Sequence, residues 1–353
     1  MKLLTYISAD IKTLVDACDL GVFTLFEGPN ASGKSAKLQA IDLLINGQVG
    51  DLRGKDRSAD YFVKALKSRS SIGEGAAIRI DGALVDIGEN GGGDAISISC
   101  VAAVGRTVTS AQEGLFDDKT DLWRLTHEKF VEASPDSMPV AWLKVLGFSN
   151  DGLVEAIEEL TSSVDKAKKE IKTLTEEREV FRKYKLFDRV GSIDTQLEAK
   201  EAVVKALAAR LKPLAEQANQ EARRLAVAID ASSPRMARME ERFGAPKVGP
   251  EKPGFGKGQA WPALCIDKSP KGSEEVVDFA LSGAEEVFAT LWLANAIALS
   301  SKSSAYRMFL APDRDYDDDF IRRLRADCLD LHQEGKLGMQ VFIAKSVYKE
   351  STS

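Results

Sequence analysis

The chain has 353 residues, of which 44% are apolar and 29% are charged, and its formal net charge is −6. Such a chain can build one large or two ordinary globular domains, and its acidic total argues against a surface that coats nucleic acid over its whole extent. No apolar run reaches the roughly 18 residues of a membrane span, and the amino terminus has no signal-peptide pattern. We therefore expect a cytoplasmic protein without a membrane partner.

A glycine-rich stretch at residues 28–35 matches the phosphate-binding pattern G-x-x-x-x-G-K-[ST]. The segment 22–26 before it is apolar and rich in β-forming residues, and the segment after it has the pattern of a buried helix that ends at Asn46-Gly47. The alternative is a glycine-rich turn that matches by chance. Because the motif requires a strand before it and a helix after it, the flanking pattern favours a phosphate-binding loop.

This loop predicts ATP and Mg²⁺ as cofactors. Gly28 and Gly33 allow a turn in which successive backbone N–H groups point inward, and the following helix adds the positive end of its dipole. Lys34 would reach the β- and γ-phosphates as a point charge, and the Ser35 hydroxyl would complete the oxygen shell of Mg²⁺. The nucleotide-binding residues expected here are Gly28, Asn30, Ser32, Gly33, Lys34 and Ser35.

An antiparallel sheet is predicted beside the nucleotide fold. Two β-type segments flank Asp81-Gly82, a strong two-residue hairpin signal, and a further strand begins at residue 95. Gln112 follows in a loop, and residues 122–148 have a helical pattern.

Two heptad patterns predict a helical hairpin. Leu153, Leu160, Ala167, Leu174 and Phe181 recur every seven residues, and a second series runs through Leu197, Val204, Leu211, Ala218 and Leu225. The loop 186–192 between them, with Gly191 as turn residue, would let the helices fold back as an antiparallel coiled coil with arms of roughly 50 Å. Two ordinary domain helices are the alternative. The loop end of the hairpin is basic, which suits either contact with phosphate or simple solvation of the helix ends.

The carboxy-terminal part begins with residues 243–259, which are rich in Gly, Pro and Lys and predict a loop or return linker. Residues 261–266 predict a strand. Ser282 and Glu285 then form the S-x-x-E pattern of a capping box before a strongly apolar helix, so an ordinary helix start is one interpretation of them.

A second interpretation comes from a family resemblance. Residues 281–285 resemble the LSGGE signature of the ABC-type ATPases of the SMC, SbcC and RecF group, and residues 30–35 resemble their Walker A sequence. In that group a coiled-coil hairpin or a short helical lobe separates the two motifs, as here. The resemblance implies an α/β fold, a P-loop ABC-type ATPase head with an antiparallel β subdomain and an inserted antiparallel coiled-coil hairpin. The implied segments are an amino-terminal lobe at 1–150, the hairpin at 151–235 and a carboxy-terminal lobe at 236–353.

The resemblance also implies a homodimer. ATP bound by Lys34 and Ser35 of one subunit would meet Ser282 and Gly283 of the other, where a helix amino terminus suits an incoming γ-phosphate. Two further residues are implied to belong to this site, Glu285 of the signature and Gln112 as the Q-loop residue that contacts metal and water.

The predicted catalytic strand departs from the family pattern, which ends in Asp-Glu, because here it ends in Pro312-Asp313-Arg314-Asp315. If Asp313 is the metal ligand, Arg314 stands at the position of the general base. An arginine has a pKa above about 12 and cannot accept a proton there, so Asp315 or another carboxylate would substitute. If Asp313 is the base, Pro312 replaces the metal ligand and Asp319 falls at the D-loop aspartate. We favour this second register.

Two further features bear on turnover. Asp317 and Asp318 are expected to lie in a solvated turn before a helix, and Lys345-Ser346 occupies the region where the family has a switch histidine. We therefore expect nucleotide binding and dimerisation but slow hydrolysis. The candidate catalytic residues are Asp313, Asp315 and Gln112, and the candidate metal ligands are Ser35, Gln112 and Asp313.

Three functions fit these motifs. The favoured one is a DNA-directed ATPase of repair or recombination that works with a nuclease or a recombination protein. The second is a nucleotide-gated switch that exposes or releases an effector protein, and the third is a scaffold that no longer hydrolyses ATP. Fold and motif do not choose among them.

Overall fold

The computed structural model describes residues 1–9, 17–29, 32–47, 63, 77–87, 93–103, 106–110, 114–116, 120, 122, 143, 152–253, 260–268, 276–277, 281–300 and 304–347. The chain divides into two compact units. The first comprises Met1–Glu132, Ala228–Lys252 and Ala263–Ser353, and the second comprises Ala133–Val227 and Pro253–Pro262. The segment boundaries expected from the sequence stay predictions, and most of the helix predicted at 122–148 lies outside the described residues.

In chain order the strands are β1 (Lys2–Ala9), β2 (Ala17–Asp19), β3 (Phe23–Gly28), β4 (Ala77–Asp86), β5 (Ala95–Ala103), β6 (Arg106–Ser110), β7 (Ala245–Pro253), β8 (Ala260–Asp267), β9 (Val276–Val277), β10 (Met308–Arg314) and β11 (Gln340–Ser346). The helices are α1 (Lys34–Asn46), α2 (Leu153–Lys183), α3 (Phe187–Ser232), α4 (Ala237–Phe243), α5 (Gly283–Ser300) and α6 (Asp318–Gln333). Within the described part of the chain, no helix combines the length and apolar character needed to cross a membrane.

A three-stranded parallel sheet in the order β10-β11-β3 lies in the first unit. β11 is the middle strand and is buried except at its last residue, as expected for a parallel strand that is covered on both faces. At the strand ends, Lys345 lies opposite Glu27 on one side and Arg314 on the other, and Ser346 lies opposite Gly28. The phosphate-loop strand and the predicted catalytic strand therefore end at the same sheet edge, where α/β proteins bind ligands.

The antiparallel sheet predicted from the sequence is present in the order β2-β1-β4-β5-β6. β4 alternates between buried and more exposed residues, as a strand does when one face packs on a core. Its buried Ile80 and Leu84 belong to the same apolar cluster as Ile41 and Leu44 of α1 and Phe342 of β11. The helix that follows the phosphate-binding loop thus packs against both sheets.

The hairpin turn predicted at Asp81-Gly82 is wrong. β4 continues through these residues, and Gly82 pairs with Ile7 of β1 in mid-strand. A Cβ atom on Gly82 would lie 2.7 Å from Cδ2 of Leu44 in α1 and 3.1 Å from Cδ1 of Leu4. The glycine serves the close approach of helix and sheet rather than a turn.

α2 and α3 form the antiparallel hairpin that the heptads predict. Near the turn, Nε of Arg178 in α2 lies 2.6 Å from Oδ1 of Asp194 in α3. At the other end, Leu153 belongs to the same apolar cluster as Ala218. Leu197, a heptad residue between these two positions, is buried as well. The apolar stripe of each helix therefore faces the other helix along the hairpin.

The hairpin turns at residues 184–186 and not at Gly191, so the predicted position of the turn is wrong. Leu186 donates its N–H to the carbonyl of Phe181 at 3.0 Å, which closes the last turn of α2. Lys185 has φ 57°, the left-handed conformation that glycine usually supplies at this point of a helix end. A lysine thus occupies the position where a glycine is expected. The chain reverses there, before Gly191, and Gly191 lies inside α3.

The loop predicted at 243–259 is wrong in its first part, because Ala245–Pro253 form β7. β7 is the first strand in the sheet order β7-β8-β9, and a strand at an edge tolerates proline because one side of its backbone needs no ladder hydrogen bonds. The strand predicted at 261–266 is confirmed as part of β8. Its Asp267 carboxylate lies 3.2 Å from Nζ of Lys247 in β7.

Candidate functional site

The phosphate-loop motif folds into a tight loop at the amino terminus of α1. The loop closes on itself through a hydrogen bond from Ser32 N–H to the Pro29 carbonyl at 3.2 Å. Gly33 precedes α1 with φ 88°, a conformation that side-chain-bearing residues rarely adopt. A Cβ atom on Gly28 would lie 2.6 Å from Oγ of Ser32, so a larger residue there would displace the Ser32 side chain. Asn30 lies outside the described residues.

Lys34 is a buried cation at the start of α1. The residue is 5% exposed, and its Nζ donates to the Pro29 carbonyl at 2.9 Å. Within the described ranges, no carboxylate lies within ion-pair distance of this ammonium group, which has three donors. A buried ammonium without a counter-charge is unfavourable, and this one points back over the loop. The arrangement fits an anion such as a phosphate group.

Ser35 is the second residue of α1 and is half-buried. Its position beside Lys34 suits a hydroxyl ligand to Mg²⁺ when phosphate oxygens supply the rest of the shell. Among the side chains that the structure describes, no group of three or more His, Cys, Asp and Glu could hold a metal ion.

The predicted catalytic strand is β10, and Asp313 is its penultimate residue. The pairing of β10 with β11 is irregular between Ala311 and Arg314, next to this position. The Asp313 side chain and the whole of Gln112 lie outside the described residues. Asp315 follows the strand and is exposed. Which register the catalytic strand uses stays a prediction.

Arg314 points toward the first turn of α5. Its Nη1 donates to Oε2 of Glu286 at 2.8 Å and to the carbonyl oxygen of Gly283 at 3.2 Å. This contact could not be predicted from the sequence, because Glu286 is far away in the chain and its spacing to Arg314 follows no motif. The geometry joins the predicted catalytic strand directly to the predicted signature.

The capping box at the start of α5 is confirmed. Ser282 N–H donates to Oε2 of Glu285 at 2.8 Å, and Glu285 N–H donates to Oγ of Ser282 at 3.4 Å. Burial raises the pKa of Glu285, but hydrogen bonds from Lys268 and Ser282 outweigh it and hold that pKa below its usual range. A charged Glu285 therefore stabilises the amino terminus of α5 through the capping box. The first N–H groups of a helix lack internal acceptors, so the start of α5 can receive an anion.

Asp317 and Asp318 are exposed at the start of α6, as expected of solvated residues before a helix, but their carboxylates also form specific contacts. Asp317 caps α6 by accepting from Phe320 N–H at 2.8 Å, and its two carboxylate oxygens accept from Arg242 of α4 at 2.9 and 2.6 Å. Asp319, the predicted D-loop aspartate, also accepts from Arg242, at 2.9 Å. The pairing was missed because its arginine lies on α4, far away in the chain.

Lys345 lies at the position where the family has a switch histidine. Its side chain is 8% exposed, and its ammonium group pairs with Asp318 and lies 3.5 Å from Oε1 of Glu27. Burial lowers the pKa of Lys345, but the hydrogen bond and charge of Asp318, together with Glu27, outweigh it and raise that pKa. A charged lysine therefore occupies the middle of the sheet edge, beside the strand that leads into the phosphate loop.

Similarity to known proteins is found among solved structures. No family model matches the chain, and no curated protein matches it. Among solved structures, the Smc head domain with an extended coiled coil bound to the C-terminal domain of ScpA, derived from Pyrococcus furiosus, has 15% identity and a TM-score of 0.47, over 98% of this chain and 90% of that one. The Smc head domain with a coiled coil and joint derived from Pyrococcus yayanosii has 15% identity and a TM-score of 0.42, over 98% and 92%. The chain is similar to SMC head domains.

The described site thus has four parts. The loop with Lys34 and the ammonium group of Lys345 lie at one edge of the parallel sheet, with the end of β10 at the same edge. Arg314 connects that strand end to the start of α5. The contribution of each predicted site residue to nucleotide binding stays a prediction.

Proposed function

We propose that this chain binds Mg·ATP in its phosphate loop and dimerises on ATP as an SMC/SbcC/RecF-like ATPase. The observation that carries the proposal is Lys34, a 5% exposed cation whose described hydrogen bond goes to a backbone carbonyl. Lys34 lies at the amino terminus of α1, where the first N–H groups of a helix lack internal acceptors and suit an anion. A phosphate chain would supply the negative charge that this buried ammonium lacks.

Each candidate residue of the nucleotide site has its own proposed role. Lys34 exchanges the carbonyl of Pro29 for phosphate oxygens, and Ser35 offers its hydroxyl to the metal. Asp313, at the end of β10, offers a carboxylate, and Gln112 is proposed to contact metal and water. Bound Mg²⁺ supplies charge neutralisation at the phosphates and orients the reacting oxygens.

The proposed hydrolysis is slow. Arg314 cannot act as a general base, and its guanidinium is held by Glu286 and Gly283. The base is therefore proposed to be Asp313 or Asp315. Asp315 is exposed directly after the strand, where it is free to rotate toward water.

The second half of each ATP site is proposed to come from another copy of the chain. One chain carries one phosphate loop and one signature, so two copies complete two sites. Ser282 and Gly283 would meet the phosphates of the partner's ATP, with Glu285 holding the helix terminus through its capping box.

The proposed biological role of the ATP-driven dimer is DNA repair or recombination in the cytoplasm, with a nuclease or a recombination protein as partner. The exposed basic end of the hairpin supports contact with DNA.

A nucleotide-gated switch for an effector protein is the second candidate. It is favoured by Arg314, because an arginine at the end of the catalytic strand suits ATP binding without rapid turnover. A gel shift that shows ATP-dependent DNA binding would favour the first candidate, and DNA binding absent in both states would favour the second.

Titration calorimetry with Mg·ATP tests the nucleotide site. Lys34→Ala should weaken binding about 10- to 150-fold, because a hydrogen bond to a charged group is worth about 1.5–3 kcal/mol. Lys37→Ala is the matched control, since Lys37 lies on the same helix but its ammonium sits 5.5 Å over the Phe26 ring. ATP affinity that is unchanged in Lys34→Ala would show that the loop is not the site.

A further inference from the structure

We propose that the turn of the helical hairpin is a binding site for single-stranded nucleic acid. The site, which we name the hairpin tip, consists of the exposed residues Lys183, Tyr184, Lys185, Leu186, Phe187 and Arg189. The hairpin tip lies in the second compact unit and shares no residue with the proposed nucleotide site. This proposal deepens the DNA contact of the proposed function and rests on it, but it does not depend on Mg·ATP binding, so the failure of one is distinguishable from the failure of the other.

Large apolar side chains are exposed at the hairpin tip. Tyr184 is 67% exposed and Phe187 is 70% exposed, with Leu186 between them at 44%. The aromatic ring that packs at this turn is a different one, Phe181, which lies 5.4 Å from the Arg189 guanidinium. Two aromatic rings are therefore left with faces open to solvent, which is the arrangement on which unpaired bases stack.

The same turn carries unneutralised positive charge. Residues 178–189 include five basic and two acidic side chains. Arg178 is paired with Asp194 at 2.6 Å, and Arg182 lies 3.5 Å from Glu179. In the described part of the chain, neither lysine of the hairpin tip has a carboxylate partner. These ammonium groups are available to phosphates.

Lys185 occupies the position of the turn that favours glycine. Its φ of 57° lies in the left-handed region, which disfavours residues that carry a Cβ atom. The hairpin thus holds a cation at its outermost point despite an unfavourable backbone conformation. Such local strain is frequent at functional positions.

A single strand matches these features better than other anionic partners. A second copy of the hairpin tip would bring like charges together. An acidic peptide supplies negative charge but no base rings that could stack on Tyr184 and Phe187. A duplex hides its base faces. Insertion into an anionic membrane would carry the charged Asp188, which follows Phe187 directly, toward the acyl chains. An unpaired strand supplies both phosphates and base faces.

Fluorescence anisotropy with the full chain tests the proposal. The probes are a labelled oligothymidylate of about 15 nucleotides, a duplex of the same length, polyglutamate and vesicles of anionic phospholipid. The single strand should bind more tightly than the other three. Tyr184→Ala and Phe187→Ala should each weaken binding of the strand at least about fivefold, because each removes one stacking platform.

Lys185→Gly separates a binding role from a structural one. Glycine fits the left-handed position, so the thermal midpoint of Lys185→Gly should stay the same or rise. Strand binding should nevertheless weaken, because a cation is lost. If the role of the lysine were purely structural, strand binding would not change. The slope of log K against log salt concentration should become shallower by about 0.7 for the lost phosphate contact. Lys205→Ala is the matched control, because Lys205 is an exposed lysine of α3 roughly 27 Å from Phe187 along the helix.

Four outcomes would overturn the proposal. They are equal affinity for duplex and strand with no effect of Tyr184→Ala, preferential binding of polyglutamate, binding of vesicles alone, and no binding of any probe. Mg·ATP affinity should be the same in the wild type and in the hairpin-tip variants. A chain that binds the strand but not Mg·ATP would contradict the proposed function and leave this inference standing.

Discussion

Arg314, the residue after Asp313 at the end of β10, donates a hydrogen bond of 2.8 Å to Glu286 in the first turn of α5. The same guanidinium donates to the Gly283 carbonyl at 3.2 Å. In the proposed dimer, β10 contacts the ATP of its own subunit and α5 contacts the ATP of the partner. In that dimer, a single side chain would therefore connect elements of two ATP sites.

A double-mutant cycle tests the contribution of this contact to stability. Arg314→Met should lower the free energy of unfolding by about 1–3 kcal/mol, because it removes the charged donor to Glu286. Glu286→Gln should lower it less, because its amide oxygen can still accept from Arg314 but the negative charge is lost. The double variant should lose less than the sum, with a coupling energy of about 0.5–2 kcal/mol. Urea denaturation measures all three values.

The matched control for that cycle is the pair Arg322 and Asp319, whose side chains are 76% and 40% exposed. A solvated pair of this kind contributes little to stability, so Arg322→Met should hardly change the free energy of unfolding. Strictly additive effects of Arg314→Met and Glu286→Gln would show that the contact is not formed in solution.

A pH dependence is expected at Asp317. The hydrogen bond from Arg242 holds the pKa of Asp317 below its usual range, although partial burial opposes the shift. A lowered pKa in the folded state stabilises the fold above the unfolded pKa of about 4, and the stabilisation is lost as pH falls through the lowered value. The wild type should therefore be more stable than Asp317→Asn at pH 6, and the difference should shrink below about pH 4.

The asparagine keeps an oxygen that can cap α6, so the comparison isolates the charge. Asp315→Asn is the control, because Asp315 is an exposed neighbour whose carboxylate forms no ion pair within the described ranges. A wild-type advantage over Asp317→Asn that stays constant from pH 6 to pH 3 would mean that Arg242 does not stabilise the charged carboxylate.

Asp313→Asn distinguishes the two registers of the catalytic strand. If Asp313 is the general base, the variant should keep Mg·ATP affinity, trap the dimer and lose about 10²–10⁴-fold in single-turnover hydrolysis, because an amide cannot take a proton from water. If it is the metal ligand, ATP affinity should fall in the presence of Mg²⁺ and stay unchanged without it. Hydrolysis as fast as in the wild type would exclude both roles and point to Asp315.

The features that the sequence predicted well are those encoded by local patterns. The phosphate loop at Gly28–Ser35, the capping box of Ser282 and the heptads of the two long helices each depend on short-range spacing, and each has a fixed geometric consequence. The antiparallel sheet was also predictable from alternation along its strands. The strand and helix that flank the loop, the capping box, the two long helices and the antiparallel sheet are confirmed in the described residues, and phosphate binding stays a prediction.

The features that were missed depend on residues distant in the chain. Gly82 has the local signature of a turn, but its role is set by Leu44 of α1, which packs against it. Gly191 likewise has a turn signature, whereas the helix end is set by Leu186 and Phe181. The link between Arg314 and Glu286 follows no motif at all. Long-range packing decides between conformations that local propensity leaves open.

The central claim, that ATP joins two chains through sites shared between them, is tested most directly by mixing two inactive variants. Lys34→Ala removes the phosphate-loop cation, and Ser282→Arg places bulk and charge at the start of α5. Light scattering with Mg·ATP should show only monomer for each variant alone. The equimolar mixture should form dimer, because one of its two sites combines an intact Lys34 with an intact Ser282. An ATP-dependent dimer of Ser282→Arg alone, or a mixture that stays monomeric while the wild type dimerises, would contradict the account.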